Sequence, residues 1–101
     1  MYRYRLTPSV KSDLIDIWNY TIETWGEKQA GKYLQDIEDK LNRLADNPSL
    51  GKQRPEIVPG YYYFPVRKHI IFYLISKNHI DVIGILHGKM DIEKNLMQFS
   101  T

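Results

Sequence analysis

Apolar residues recur along this chain with two different periods, and the switches between them mark out the elements. Tyr2-Arg3-Tyr4-Arg5-Leu6 alternates: Tyr2, Tyr4 and Leu6 fall on one face and the arginines on the other, which predicts a half-buried strand. Thr7-Pro8 predicts a helix start, because a threonine hydroxyl takes up an orphan amide and proline suits the first helical position. Val10, Leu14, Ile17, Trp18, Thr21, Ile22 and Trp25 then follow at spacings of three and four, forming one broad apolar stripe. Gly26 stops the stripe, as a left-handed C-terminal cap does. A second stripe, Ala30, Tyr33, Leu34, Ile37, Leu41, Leu44 and Ala45, runs to Asp46-Asn47-Pro48, where the residue before proline disfavours helical geometry. Each predicted helix has about eighteen residues and is roughly 27 Å long. So short a connection makes the pair an antiparallel hairpin over about residues 8–46.

Residues 47–60 carry Pro48, Gly51, Pro55, Pro59 and Gly60 and read as a connector. Tyr61–Val66 is aromatic and β-branched, and Pro65 places this strand at a sheet edge or a bulge. His69–Ile75 and Ile80–His87 are apolar runs separated by the polar turn Ser76–His79, so residues 61–87 predict an antiparallel meander. Asp91 is placed to cap a last short helix, about residues 91–100, bearing Ile92, Leu96 and Phe99. The order is β-α-α-β-β-β-α, an α+β fold. A helical hairpin packed on one face of a small, mainly antiparallel sheet of four strands buries both helical stripes.

Composition narrows the picture. The chain has 101 residues, read as one domain over residues 1–101, and 43% are aliphatic or aromatic, enough to support an ordered core. A core this small leaves little room for a deep cofactor cavity, and no cofactor is expected. There is no cysteine, which excludes disulfides and thiolate zinc sites and fits a reducing cytoplasm. No apolar run resembles a signal peptide or reaches membrane-spanning length, so a cytoplasmic protein without a membrane partner is expected. A net charge of +2 is too small to single out nucleic acid.

Strand alternation brings the Arg67-Lys68 turn and the segment His87-Gly88-Lys89 to the same end of the sheet. With strands about 4.8 Å apart, Arg67, Lys68, His69, His87 and Lys89 form a candidate basic cluster for phosphate or an acidic protein surface. A solvated turn with ordinary surface charges explains the same residues. His87 has the chemistry of a general base, but no nucleophile or paired carboxylate stands at a telling spacing, which favours a structural histidine. His69 and His79 lie at opposite ends of one strand, so a three-histidine metal site is rejected. Tyr61-Tyr62-Tyr63-Phe64 resembles a base-stacking platform, yet alternation sends two aromatics to each face and at least one face must be core. Core packing accounts for Trp18 and Trp25. The uncovered face of the sheet and its edges are places for a partner segment.

Several segments, in this order and spacing, carry a resemblance: Leu6-Thr-Pro-Ser9, Asp13-Leu-Ile-Asp-Ile-Trp18, Trp25-Gly-Glu27, Gln29-Ala30 and Tyr33-Leu34. Leu44-Ala-Asp-Asn-Pro48, Gly51-Lys-Gln-Arg54, Phe64-Pro-Val66, His69-Ile-Ile-Phe-Tyr73 and Ile85-Leu-His-Gly-Lys-Met-Asp91 complete the set. Over essentially its full length the chain resembles the RelE/ParE superfamily of toxins, and its ParE branch in particular. The resemblance implies the β-α-α-β-β-β-α fold and the role of toxin in a type II toxin–antitoxin pair. It further implies a ParD-like antitoxin held in a hetero-oligomer, and DNA gyrase as the target. The same superfamily holds RelE-like ribosome-dependent mRNA endonucleases, the rival reading. Where those enzymes carry a mid-strand arginine, a later arginine and a C-terminal tyrosine, this chain has Ile70, Met90 and Leu96, which neither stabilise phosphate nor move a proton. The expectation is therefore an inhibitor that acts by binding, without catalytic residues and without sequence-specific nucleic-acid binding of its own. Its target-binding candidates are Arg67, Lys68, His87, Lys89 and Met90, and its antitoxin-binding candidates are Trp18, Trp25 and Tyr33. A degenerate module that retains only antitoxin binding is the third reading.

Overall fold

The computed structural model describes residues 3–53 and 60–87. Strand β1 (Arg3–Leu6) leads into helix α1 (Pro8–Trp25) and helix α2 (Glu27–Asp46). A 3-10 turn (Pro48–Leu50) and a two-residue strand β2 (Lys52–Gln53) come next, then β3 (Tyr62–Val66), β4 (His69–Ile75) and β5 (His79–His87). Thr7 caps α1 as expected, its hydroxyl accepting the Val10 amide at 3.3 Å with Pro8 in the first turn. Gly26 does end α1, but at φ 92° and ψ 167° it is not the left-handed helical cap expected from the sequence. That combination is open essentially to glycine alone, and it turns the chain sharply enough for α2 to begin at the next residue. The Gly26 amide still closes on the Ile22 carbonyl at 2.9 Å.

The sheet has five strands in the order β1-β5-β4-β3-β2, one more than the sequence pattern predicts. The extra strand β2 pairs Lys52 and Gln53 with Tyr63 and Tyr62, and a run of two polar residues leaves no periodicity to read. The meander β3-β4-β5 is antiparallel as expected, while β1 pairs parallel to β5 over Arg3–Leu6. Pro65 lies in β3 beyond the reach of β2, on the edge where a missing amide costs no ladder bond. The proposed helix over residues 91–100, with Asp91, Ile92, Leu96 and Phe99, lies outside the described residues, as do Lys89 and Met90.

Both helices bury their stripes on one face of the sheet. Val10, Ile17, Ile37, Leu41 and Leu44 meet Val66, Ile71, Tyr73, Ile80, Val82 and Ile85, with Tyr62 and Phe64 at the margin. The other face carries a smaller cluster of Phe72 and Ile83 flanked by Tyr61, Tyr63, Ile70, Leu74 and Leu86. The aromatic run of β3 thus divides between two cores by alternation and is no stacking platform. Trp25 corrects one expectation: it is 66% exposed, so core packing does not account for it, whereas Trp18 is half-buried.

One irregularity sets the phase of the last strand. Phe72 pairs with Gly84 but Tyr73 pairs with Val82, so β5 holds one residue more than β4 at this point. The bulge shifts the alternation of β5, and Ile85 rejoins Ile80 and Val82 on the helix-facing side. His87, two residues on, lies on that side too, directly across from His69.

Candidate functional site

The functional candidates gather at one end of the sheet, under the α1–α2 junction. Val66 and His69 are paired, so Arg67-Lys68 is a two-residue hairpin turn, and Arg67 takes φ 53°. A non-glycine residue there costs about 1–2 kcal/mol. The side chain has partners that offset this: its guanidinium pairs with Asp36 and lies over the Tyr33 ring, 5.4 Å from the centroid. The Lys68 amide donates to the Tyr33 hydroxyl at 3.3 Å, and that hydroxyl stands 2.5 Å from His69 Nδ1. The hydroxyl and Nδ1 share one hydrogen bond, whose direction is set by the tautomer of the ring.

His69 and His87 meet edge to face, with centroids 5.2 Å apart. Burial, and then the neighbouring His87, hold His69 down to about 4, so it is neutral at physiological pH. Burial likewise raises the Tyr33 phenol above its ordinary value, against the opposing pull of the Lys68 amide and the Arg67 charge. Along α1, Asp13 accepts the Ile85 amide at 3.3 Å. Parallel pairing of β1 with β5 ends at Val82, whose carbonyl takes the Thr7 amide, so Asp13 serves a ladder position that β1 does not reach. Desolvation raises Asp13 in spite of that bond, and Asp16 adds to the rise.

Three adjoining concavities share these walls. One of about 400 Å³ is lined by Asp13, Asp16, Ile17, Tyr20, His69 and Ile85–His87. A smaller one of about 130 Å³ joins Tyr20, His69 and His87 to Thr21, Trp25, Tyr33 and Lys68. The third, of about 460 Å³, adds Gln29 and Arg67 to Trp25, Tyr33 and Lys68. The structure therefore brings Arg67, Lys68, His87, Trp25 and Tyr33 to one trough. Trp18 does not line it. His69 is a half-buried, neutral wall of the trough, which removes it from the basic cluster.

Asp13, Asp16, Tyr20, Gln29 and Asp36 also belong to the site, and sequence reasoning missed them. The signal for Asp13, Asp16 and Tyr20 was their place on α1 beside the apolar stripe. No group of three or more histidine, aspartate or glutamate side chains among the described residues is arranged to hold a metal ion.

Comparison with known proteins fixes the family. Residues 4–92 match the model of the ParE toxin of the type II toxin–antitoxin system parDE. The chain belongs to the ParE toxin family. It is 38% identical to Toxin ParE1 of Mycobacterium tuberculosis, covering 93% of this chain and 97% of that protein. It is 30% identical to Toxin ParE1 of Caulobacter vibrioides, covering 95% and 99%. Among solved structures, the chromosomal ParDE toxin–antitoxin system from P. aeruginosa superposes with a TM-score of 0.75 at 22% identity, over 86% of this chain and 96% of that one. A YoeB–YefM toxin–antitoxin heterotetramer from Staphylococcus aureus gives 0.57 at 17% identity, over 86% and 97%, which shows the shared fold. Family membership makes the chain the toxin component of a toxin–antitoxin system. No described helix is long and apolar enough to cross a membrane.

Proposed function

We infer that this ParE-family toxin acts by binding DNA gyrase and blocking replication, and that a ParD-like antitoxin neutralises it in a hetero-oligomer. The observation that carries the reading is the match to the ParE model over residues 4–92, supported by ParE relatives aligned over nearly their whole length. The target-binding surface is the end of the sheet that carries Arg67, Lys68 and His87, together with Lys89 and Met90, which follow in the sequence outside the described residues. Trp25 and Tyr33 of the trough, with Trp18 on the same helix as Trp25, contact the antitoxin. Support for action without catalysis comes from Ile70, the residue that replaces the nucleases' mid-strand arginine. It packs with the Phe72–Ile83 cluster on the face away from the trough.

A supercoiling and cleavage assay with purified gyrase, run beside an in vitro translation reaction, tests this reading. Cleaved or unsupercoiled plasmid with intact message is the expected result, and Arg67→Glu with Lys68→Glu reduces it. Cut message with untouched gyrase refutes it. One observation favours that second outcome: two phenols, two imidazoles and Lys68 converge in one trough, a set capable of moving protons. In that case His87→Gln abolishes message cleavage while a melting curve shows that the variant still folds.

A further inference from the structure

The trough has a polarity that nothing in the family assignment requires. Among the described residues, its carboxylates, Asp13 and Asp16, line one end. Its permanent cations, Arg67 and Lys68, line the other. Between them the walls are aromatic or hydroxyl-bearing: Tyr20, Thr21, Trp25, Tyr33 and the His69–His87 pair. Tyr20 and Trp25 are 63% and 66% exposed, a large apolar area left open beside a lined groove. Arg67 is already neutralised by Asp36, and Asp13 is committed to the Ile85 amide, so Asp16 and Lys68 are the charges best placed to meet a partner.

We propose that this trough seats an extended segment of a protein partner carrying a lysine or arginine at the Asp16 end, a carboxylate at the Lys68 end and an apolar side chain between Tyr20 and Trp25. The separation of Asp13 and Trp25 on α1 corresponds to about 18 Å of helix. About six residues of extended chain cover that length. Charge complementarity with this dipolar lining selects the occupant, because a uniformly acidic segment is repelled at Asp16 and a uniformly basic one at Lys68. The proposal rests on the reading that an antitoxin holds this chain, and it assigns the segment to that antitoxin. Occupation of the Lys68 end then covers the surface that meets the target, so neutralisation is direct competition for one site.

The test is a titration of the purified chain with the product of the adjoining gene, and then with short overlapping peptides spanning that product, at low and high salt. Asp16→Lys and Lys68→Glu are compared with wild type, and a melting curve for each variant confirms that it folds. The expected result is an affinity loss of about tenfold in each variant at low salt. That loss narrows at high salt, and the tightest peptide carries opposite charges at its two ends. Asp16→Lys loses antitoxin affinity at a wild-type melting temperature and with a salt dependence, which a merely structural role for Asp16 does not produce. Affinities within about twofold of wild type in both folded variants overturn the trough assignment and leave the antitoxin reading standing. Failure of the wild-type chain to bind the adjoining gene's product at all overturns the antitoxin reading itself. A concentration-dependent self-association that Asp16→Lys abolishes assigns the trough to a second copy and overturns the proposal.

Discussion

Lowering the pH from 7 to 4 tests the geometry of the trough through the stability of the fold. The unfolded chain protonates His69 near 6.5, but in the folded chain the ring stays neutral down to about 4. Across that window the unfolded state binds the proton and the folded state does not, so each step down in pH favours unfolding. The contribution of His69 is complete above pH 6.5 and is lost as the pH falls towards 4. For a fully buried ring the displacement would amount to about 3 kcal/mol. His69 is half-buried, and solvent screening reduces this to about 1–2 kcal/mol. Asp13 works in the opposite sense: its raised folded value means the folded state takes up a proton first, adding stability at the acid end of the window. The measurement is urea unfolding at a series of pH values, for wild type and for His69→Gln, which keeps a hydrogen-bond partner for the Tyr33 hydroxyl but does not titrate. Wild type loses about 1–2 kcal/mol between pH 6.5 and 4 beyond what the variant loses. Parallel profiles for the two proteins refute the argument that burial under Tyr33 and His87 keeps this ring neutral.

Three further perturbations act on particular contacts. Tyr73 has no exposed surface and its hydroxyl donates to the Pro48 carbonyl at 2.6 Å, so Tyr73→Phe costs about 1–2 kcal/mol in urea unfolding. A Cβ at Gly51 would stand 2.0 Å from that hydroxyl, so Gly51→Ala is more costly, and the double variant loses less than the two single losses combined. Tyr33→Phe removes the group that joins the Lys68 amide to His69 Nδ1, lowering stability by about 1 kcal/mol and quickening hydrogen exchange at the Lys68 amide. Trp25→Ala stays within about 0.5 kcal/mol of wild type because the ring is exposed, yet it weakens binding of the adjoining gene's product; a large loss of stability instead would place the ring in the core.

Much of the architecture is written in period and punctuation. The stripes ending in Trp25 and Ala45, the Thr7-Pro8 start and the Pro48 stop yield both helices, and the apolar runs from Tyr62, His69 and Ile80 yield the meander. The misses have physical causes. Lys52-Gln53 becomes a strand because β3 offers it a free edge, a tertiary circumstance that two polar residues do not announce. Trp25 sits in phase with the helical stripe but is the last residue of α1, where the helix turns away at Gly26, so phase alone mistakes it for core. The cluster at Arg67, Lys68 and His87 is legible because hairpin direction alone brings those segments together. Its acidic counterpart is not, since Asp13 and Asp16 join it only through the placement of α1 over β5.

The bulge at Ile83–Gly84 decides which side chains of β5 reach the trough. In an unbroken strand with Ile80 and Val82 facing the helices, Gly84 and Leu86 would share their face, and Ile85 and His87 would face away. The extra residue reverses that order, turning Ile85 into the core and His87 towards His69 and α1. Glycine at the irregularity suits the local bend, and the shift of register accounts for Leu86 joining the Phe72–Ile83 cluster on the opposite face. Without it the trough would lose the His87 wall and the Ile85 amide its bond to Asp13. An apolar run such as Val82–Leu86 hides a bulge from any reading of alternation, because both faces of this stretch are buried and no polar position after Asp81 records the change of phase. The feature that builds the trough is therefore the one that a pattern of apolar and polar residues is least able to reveal.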